Sequence, residues 1–481
     1  MTPEIAAQAL TAVSLFLGAG LGLTLCLPGL ARTGLAGRLG FAWPLGVAWT
    51  GLFLYAASHF ARLPLDGPLV YLAAFLPLAA GLGVAVRLLA LRRWKMPAPR
   101  PARSPLWTAA WVGLTLLALL VSTAVLANAL THPLEDWDGR MTWTAQAMFV
   151  RDAGTVDAEV LRSRKSFISH PRYPLLMPLA QVAALEATGS DDERIVRALY
   201  AMFFPALVLL ILEAGRRWAG WRAALLTALV LLTIPWIPFD PEGGATGAYS
   251  DLPLACFFGG GLLLLLRARP RASDGLAAGL LLAAALLTKN EGLPEVLIAL
   301  ALAALSAGIA LLRRRRAGRP RLLAAALAGV LCIAALWLLV SWRSPIPNRY
   351  DESYFETFSF ASYVSNLASP RPFRTIPVIA RRMLDPTLWS LFWWLAPVLF
   401  VAAAPSFRRP PTAYLAAAAA VPLLAAWSAY AQVPATVYYA TVTWNRLLLQ
   451  ACVPVFGLVG VAVRRLLGLK WRSRSLPPLR G

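Results

Sequence analysis

Apolar runs of about 20 residues recur along almost the whole chain, and each is the length an α-helix needs to cross the hydrocarbon of a bilayer. No water reaches that layer, so every backbone N–H and C=O in a crossing segment must find its partner within the protein, which restricts such a chain to helices or a closed barrel. Runs of this length read as spanning helices. Composition agrees. Hydrophobic residues make up 59% of the chain and charged residues 14%, where a soluble domain would carry about a quarter charged residues. The fold class expected is therefore an all-α polytopic membrane protein of about thirteen transmembrane helices. They are placed near 6–30, 39–59, 68–91, 106–130, 194–215, 221–238, 251–267, 274–288, 293–312, 321–342, 387–404, 413–430 and 446–463.

The net charge of +22 could suggest a nucleic-acid partner, but its distribution argues otherwise. Basic residues sit in short clusters after apolar runs: Arg92-Arg93, Arg216-Arg217, Arg267 to Arg271, Arg313 to Arg316, Arg408-Arg409 and the tail from Arg464. These are positive-inside anchors, and their polyanion is cytoplasmic-leaflet lipid. Placing each basic loop inside puts the N-terminus outside and the C-terminus inside. The scheme requires that the short apolar piece Tyr173 to Ala187, interrupted by Pro178, does not cross and forms an interfacial helix on the outer face. Acids test the scheme independently, because the positive-inside rule hardly uses them. Of 23 Asp and Glu, only Glu213 and Asp274 fall on the inner side. Longer outer loops explain part of that bias, and the rest points to a working surface outside.

Cys26, Cys256, Cys332 and Cys452 lie within apolar runs at no metal-like spacing and read as small buried hydrophobes. The first residues carry Glu4 and no basic side chain, so a permanent first span is expected there rather than a cleaved signal peptide. The chain divides into N-terminal transmembrane helices (1–105), a membrane core (106–342) containing a first outer loop (131–193), a second long outer loop (343–386), and C-terminal helices with a basic cytoplasmic tail (387–481).

Polar residues that interrupt this pattern are the candidates for chemistry. Directly after the run Leu106 to Leu130 comes Leu134-Glu135-Asp136-Trp137-Asp138-Gly139-Arg140. Acids at a membrane boundary can take a proton, bind a metal or simply be solvated. Met141, Ala145, Met148 and Phe149 follow at helical spacing, predicting a short amphipathic surface helix with Arg140 and Gln146 off its apolar stripe. Asp138 then has a structural explanation as a helix N-cap. Glu135 reads as solvated, and Asp136 has no equally good structural role. Ser169-His170-Pro171-Arg172-Tyr173-Pro174 offers His170, Arg172 and Tyr173 as contacts for a phosphate or sugar, although Arg172 could only snorkel to headgroups. Asp251 opens an apolar helix after the linker Gly243 to Gly247, and Lys289 and Glu291 share the tight turn Thr288-Lys289-Asn290-Glu291-Gly292. Lys289 and Glu291 could satisfy one another. Arg446, in Trp444-Asn445-Arg446, could clamp a phosphate bidentately or anchor a helix end.

In order and topology these features resemble the GT-C fold glycosyltransferases, and look closest to the bacterial glycosyltransferase 39-like group related to protein mannosyltransferases and aminoarabinose transferases. The resemblance rests on Asp136 or Asp138 in the first outer loop, the juxtamembrane helix after it, and His170-Pro171-Arg172-Tyr173-Pro174. It continues through Arg197 at the next helix start, Tyr249-Ser250-Asp251 and Thr288 to Gly292, covering about 106–300, and thins to hydropathy and Trp444-Asn445-Arg446 thereafter. It implies a bacterial inner-membrane, multi-pass enzyme with outer-face juxtamembrane helices and an active site facing the periplasm or exterior. A sugar would pass, with inversion, from a polyprenyl-phosphate donor to a glycan, lipid or protein acceptor of the cell envelope. The implied roles are catalytic base for Asp136 or Asp138, acceptor or metal support for Asp251 and Glu291, and donor-phosphate binding for His170, Arg172, Tyr173, Lys289 and Arg446. Where the family more often has Lys-Pro-Pro, this chain has His170-Pro171-Arg172, which passes the phosphate contact to Arg172. A divalent cation (Mg2+ or Mn2+) held by Asp136, Asp138 and Asp251 is compatible with the residues, but no cluster at ligand spacing demands one. The alternatives are a transporter or flippase of lipid-linked sugars, for which the halves show no convincing repeat, and a non-catalytic envelope-assembly subunit.

Overall fold

A computed structural model describes residues 2–28, 30, 33–91, 104–163, 170, 173–267, 270–312, 318–343, 359–433 and 435–469, with the backbone alone for Arg162 and for 332–343. Every regular element among the described residues is helical. Seven helices are long and apolar enough to cross a membrane, or eight if one bent pair counts as a single span.

The first three helices, α1 (Pro3–Cys26), α2 (Leu35–Ala61) and α3 (Gly67–Ala90), pack together, with α1 against both α2 and α3. Small residues let α1 and α2 approach closely. A Cβ on Gly20 would lie 1.7 Å from the Ala42 carbonyl oxygen, and one on Gly46 would lie 1.9 Å from that of Phe16. Lipid tails are as apolar as leucine, so such close van der Waals packing substitutes for the hydrophobic drive between helices in water. Next, α4 (Pro105–Thr131) packs against the bundle along one side and exposes Leu106, Val112, Leu116, Leu119 and Leu120 on the other, as a lipid-facing span should.

After α4, a π-turn over Gly139–Thr144 leads into α5 (Ala145–Ala153). The helix is where the spacing predicts it, but its buried face is Trp143, Gln146, Ala147 and Val150 rather than the stripe Met141, Ala145, Met148 and Phe149. A π-turn inserts an extra residue and rotates everything after it. The next helix, α6 (Leu176–Thr188), also departs from expectation. It spans only about 20 Å, too short to cross. Instead of lying on the surface it is buried among α1, α2, α3, α5 and the following helix α7 (Glu193–Ala201), because its sequence is apolar apart from Gln181 and Glu186, which find partners in Tyr200 and Arg151.

α7 and α8 (Phe203–Trp218) together make one long span, and α9 (Trp221–Leu232) returns from it to the short α10 (Trp236–Phe239). α11 (Asp251–Leu265) is buried along its whole length and packs on α8, α12 (Ala272–Thr288) and α13 (Gly292–Leu312). α14 (Gly318–Arg343) lies against α12. Opposite the end where Asp251 sits, Glu213 pairs with Arg216 and Arg217, and Asp274 with Arg267. The two acids expected on the inner side are thus buried counter-ions that tie the ends of α8, α11 and α12 together.

The C-terminal part consists of the short helices α15 (Phe360–Ala368), α16 (Ile376–Met383) and α17 (Pro386–Trp389), then α18 (Phe392–Ala403), α19 (Pro410–Tyr430), α20 (Thr436–Gln450) and α21 (Cys452–Leu466). α20 and α21 form a span bent by 63° at Ala451. Pro454, in the first turn of α21, has no N–H to give Gln450, so the α-helical ladder is interrupted there.

Candidate active site

Asp251 is the first residue of α11 and is fully buried. Its Oδ1 accepts from Lys289 Nζ at 3.0 Å and from Gln450 Nε2 at 2.6 Å, and its Oδ2 accepts from Arg446 Nε at 2.9 Å. Arg446 and Gln450 are four residues apart on α20 and so present one face to the same carboxylate. Arg446 Nη2 also reaches Asp138 Oδ2 at 2.8 Å, while Lys289 Nζ reaches Glu291 Oε1 at 3.1 Å. The result is a continuous array, Asp138–Arg446–Asp251–Lys289–Glu291, drawn from four separate segments. Asp251 is sealed at its centre, whereas the Asp138 and Glu291 side chains at its ends are 21% and 33% exposed. Two cations are held from behind by one buried acid, and each is bridged at the front by an acid that solvent can reach.

Two neighbours fix the Arg446 guanidinium in place. It lies 4.3 Å from the ring centroid of Tyr249, a cation–π contact. The linker also passes directly over it: a Cβ at Gly243, whose φ is +136°, would sit 2.6 Å from Arg446 Cγ. Only glycine takes both that conformation and that contact without strain. On the preceding residue, Asn445 Oδ1 accepts from Trp389 Nε1 at 3.1 Å, and Trp389 stacks on Trp236.

Asp136 and Asp138 divide their roles in a way that reverses the sequence-based capping assignment. The helical turn already includes Trp137 and Asp138, and Asp138 has helical dihedrals, so it cannot be the cap. Asp136 is the residue before it. Its Oδ2 accepts from Gly139 N at 3.1 Å, as an N-cap does, and from Ala248 N at 3.2 Å. One carboxylate thus caps the turn and joins the loop of Asp138 to the loop of Asp251. Burial pushes the Asp136 carboxyl up to about 6, against the opposing pull of the backbone N–H groups and of Arg197. Glu135 is exposed, as expected.

Arg197 on α7 completes the same junction. Its guanidinium donates to the carbonyl oxygens of Thr246 (2.8 and 3.0 Å), His132 (2.6 Å) and Asn128 (3.3 Å), and to Asn128 Oδ1 (3.0 Å). A single buried cation therefore holds the start of one acid-bearing loop and the middle of the other.

His170 and Tyr173 belong to a different substructure. Their rings stack at 4.7 Å, Tyr173 stacks on Trp143 at 5.2 Å, and the His170 carbonyl accepts from Gln146 Nε2 at 2.9 Å. Arg172 lies outside the described residues. A divalent site made from Asp136, Asp138 and Asp251 does not assemble: Asp136 is engaged by backbone N–H groups and Asp251 by three side-chain donors. Among the described residues no three His, Cys, Asp or Glu side chains converge as a ligand set. Sequence reasoning missed Gln450, whose only signal is its place one turn after Arg446. It also missed Glu295, buried in the first turn of α13.

An apolar cavity of about 260 Å3 lies between α2, α6 and α12, lined by residues that include Trp49, Phe53, Tyr55, Leu176, Leu280 and Leu287. Leu287 is two residues from Lys289, so the cavity wall and the charged array share the end of α12.

A comparison with protein-family profiles finds no match, and no curated protein is similar. Among solved structures, ArnT from Cupriavidus metallidurans bound to undecaprenyl phosphate is similar at 21% identity and a TM-score of 0.49, over 77% of this chain and 61% of that one. The same protein in the apo state is similar at 21% identity and a TM-score of 0.49, over 75% of this chain and 63% of that one. This chain therefore spans a little over three fifths of the length of the ArnT chains it resembles.

Proposed function

We propose that this protein is a GT-C type membrane glycosyltransferase that moves a sugar from a polyprenyl-phosphate donor to a cell-envelope acceptor at the face of the bacterial inner membrane turned toward the periplasm. The observation that carries the reading is the array Asp138–Arg446–Asp251–Lys289–Glu291, together with an apolar cavity whose wall includes Leu287, two residues before Lys289. A prenyl-phosphate substrate needs both parts: a dry groove for isoprene units and fixed cations for the phosphate.

The resting ion pairs suggest how the chemistry would run. Three carboxylates face two cations, so a phosphate entering the array must replace acids rather than fill a vacant cationic hole. Asp251 is fully enclosed and keeps its hold on Arg446 and Lys289, whereas Asp138 and Glu291 are reachable and are the ones displaced. The planar Arg446 fork suits phosphate, and Lys289 adds a point charge. Asp138, displaced from Arg446, would then be free to turn toward the sugar's face away from the phosphate and accept the proton of an acceptor hydroxyl there. The hydroxyl oxygen attacks the anomeric carbon from the face opposite the phosphate, and the bond from that carbon to the phosphate oxygen breaks with its electrons leaving on the phosphate. The configuration inverts, and Arg446 and Lys289 stabilise the departing charge. Glu291, released from Lys289, would orient the acceptor. In this scheme Asp136 is a positioning residue.

The test uses the full-length protein in lipid nanodiscs with labelled polyprenyl-phosphate sugars. Binding of polyprenyl phosphate, lost in Arg446→Gln and retained in Asp138→Asn, together with transfer lost in both, is the expected result. A wild-type protein that binds no polyprenyl phosphate overturns the assignment.

A further inference from the structure

Residues 359–391 lie at the same end of the molecule as Asp138 and Arg446, and α16 packs directly on α20. Tyr363 donates to Ser428 Oγ at 2.5 Å, Asn366 Nδ2 to Gln432 Oε1 at 3.0 Å, and Trp427 Nε1 to Thr375 Oγ1 at 3.2 Å, which fix α15 and the turn before α16 on the end of α19. One side of this segment is thereby held; the other is open. No residue of α15 is buried, Phe360 is 74% exposed, and Phe373 and Ile376 are about half exposed.

The open side is also the cationic exception on a face where acids predominate. Between 359 and 391 the chain carries Arg371, Arg374, Arg381 and Arg382 against the single acid Asp385. Arg381 and Arg382 lie in the field of Asp385, and Arg382 in that of Asp240 as well. Exposed Arg371 and Arg374 flank Phe373, whose ring rests edge-on against Trp427 and leaves about half of its surface open. Aromatic and aliphatic side chains set among arginines on a short helical surface suit the boundary between acyl chains and headgroups. Near a negatively charged lipid surface, each arginine strengthens attachment by about fivefold.

We propose that residues 360–384 form a docking surface for anionic phospholipid headgroups, seated in the leaflet next to the Asp138–Arg446 site. Arginines meet the phosphodiesters while Phe360, Phe373 and Ile376 enter the acyl boundary. The occupant is lipid of the membrane itself, so the inference stands independently of whether the site transfers a sugar.

Amide hydrogen exchange on the full-length protein tests this, in nanodiscs of phosphatidylglycerol and, separately, of phosphatidylcholine. Exchange over 360–384 is expected to be slower by about threefold or more in phosphatidylglycerol, with the α7–α8 span unchanged as a folding control. Arg371→Gln, Arg374→Gln and Arg381→Gln together should make the two lipids equal, as should about 0.5 M salt on the wild-type protein. Equal protection of the wild type in both lipids, showing apolar seating or a non-lipid partner, overturns the proposal. So does a lipid difference that survives either the triple variant or the salt.

Discussion

Arg446 and Asp251 stand 195 positions apart in the chain, and Nε of one lies 2.9 Å from Oδ2 of the other inside the protein. Breaking a buried pair by neutralising one member leaves a charge with no partner, which costs more than the pair contributes when intact. Here one acid serves two cations, so its loss leaves Arg446 and Lys289 facing each other with only the partly exposed Asp138 and Glu291 to balance them.

Asp251→Ala is therefore expected to destabilise the protein by about 3–5 kcal/mol or more. Thermal unfolding in detergent should show a lower midpoint than wild type. Exchanging Glu291, which is one third exposed, for Gln should change it much less. Equal shifts for the two variants would contradict a central role for Asp251.

Asp136 and Asp138 separate by substitution with Asn. In Asp136→Asn the side-chain amide oxygen can still accept from Gly139 N and Ala248 N, so this variant should keep transfer within about tenfold, below the range for a general base. Asp138→Asn should lose about 10²- to 10⁴-fold, which is that range. A reversal of that order in a transfer assay would assign the base to Asp136.

The pH dependence of stability tests Asp136 separately. Its folded value, about 6, lies above the ordinary 3.8, so the folded protein holds the proton more tightly. The resulting stability is fully present below pH 3.8 and is lost as pH rises through about 6, by an amount on the order of 3 kcal/mol. Thermal midpoints compared between about pH 4 and pH 7 should lose this component in Asp136→Asn. A slope unchanged by the substitution would place the titrating group elsewhere.

Arg197→Gln removes the donors that hold two loops at once. Amide exchange should accelerate both in 132–139 and in 240–250, with Arg197→Lys intermediate because a point charge cannot reach all of the acceptors together. Acceleration in one loop alone would mean that the junction does not depend on Arg197.

Gly243→Ala places a methyl group against Arg446 Cγ on a backbone unsuited to it. Affinity for polyprenyl phosphate should fall by about tenfold or more, given strain of about 1–3 kcal/mol. Unaltered binding would show that the linker is free to move off Arg446.

The helical class and the concentration of polar residues at one end were legible in the chain, because run length and charge are local properties. Asp138, Asp251, Lys289, Glu291 and Arg446 were each named from local motifs, and the structure joins them. What local pattern could not carry was which residue meets which. The exchange of roles between Asp136 and Asp138 turns on a helix starting at Trp137, and helix ends are set to within only one or two residues by sequence. The π-turn at Gly139–Thr144 leaves no periodic trace before it shifts the face of α5. α6 reads as interfacial from its length, although its largely apolar surface already argues for burial.

The bend at Ala451 separates two duties that a straight helix would have to combine. α21 takes its tilt from the helices it packs on, α8, α9, α18 and α19, with Arg464 and Arg465 tied to the Ala219 carbonyl and to Ser406 Oγ. α20, which presents Arg446 and Gln450 to Asp251, takes its orientation from polar partners instead. With the joint between them, the direction of the packed span does not dictate where Arg446 and Gln450 point, and the charged array is oriented by its own polar contacts.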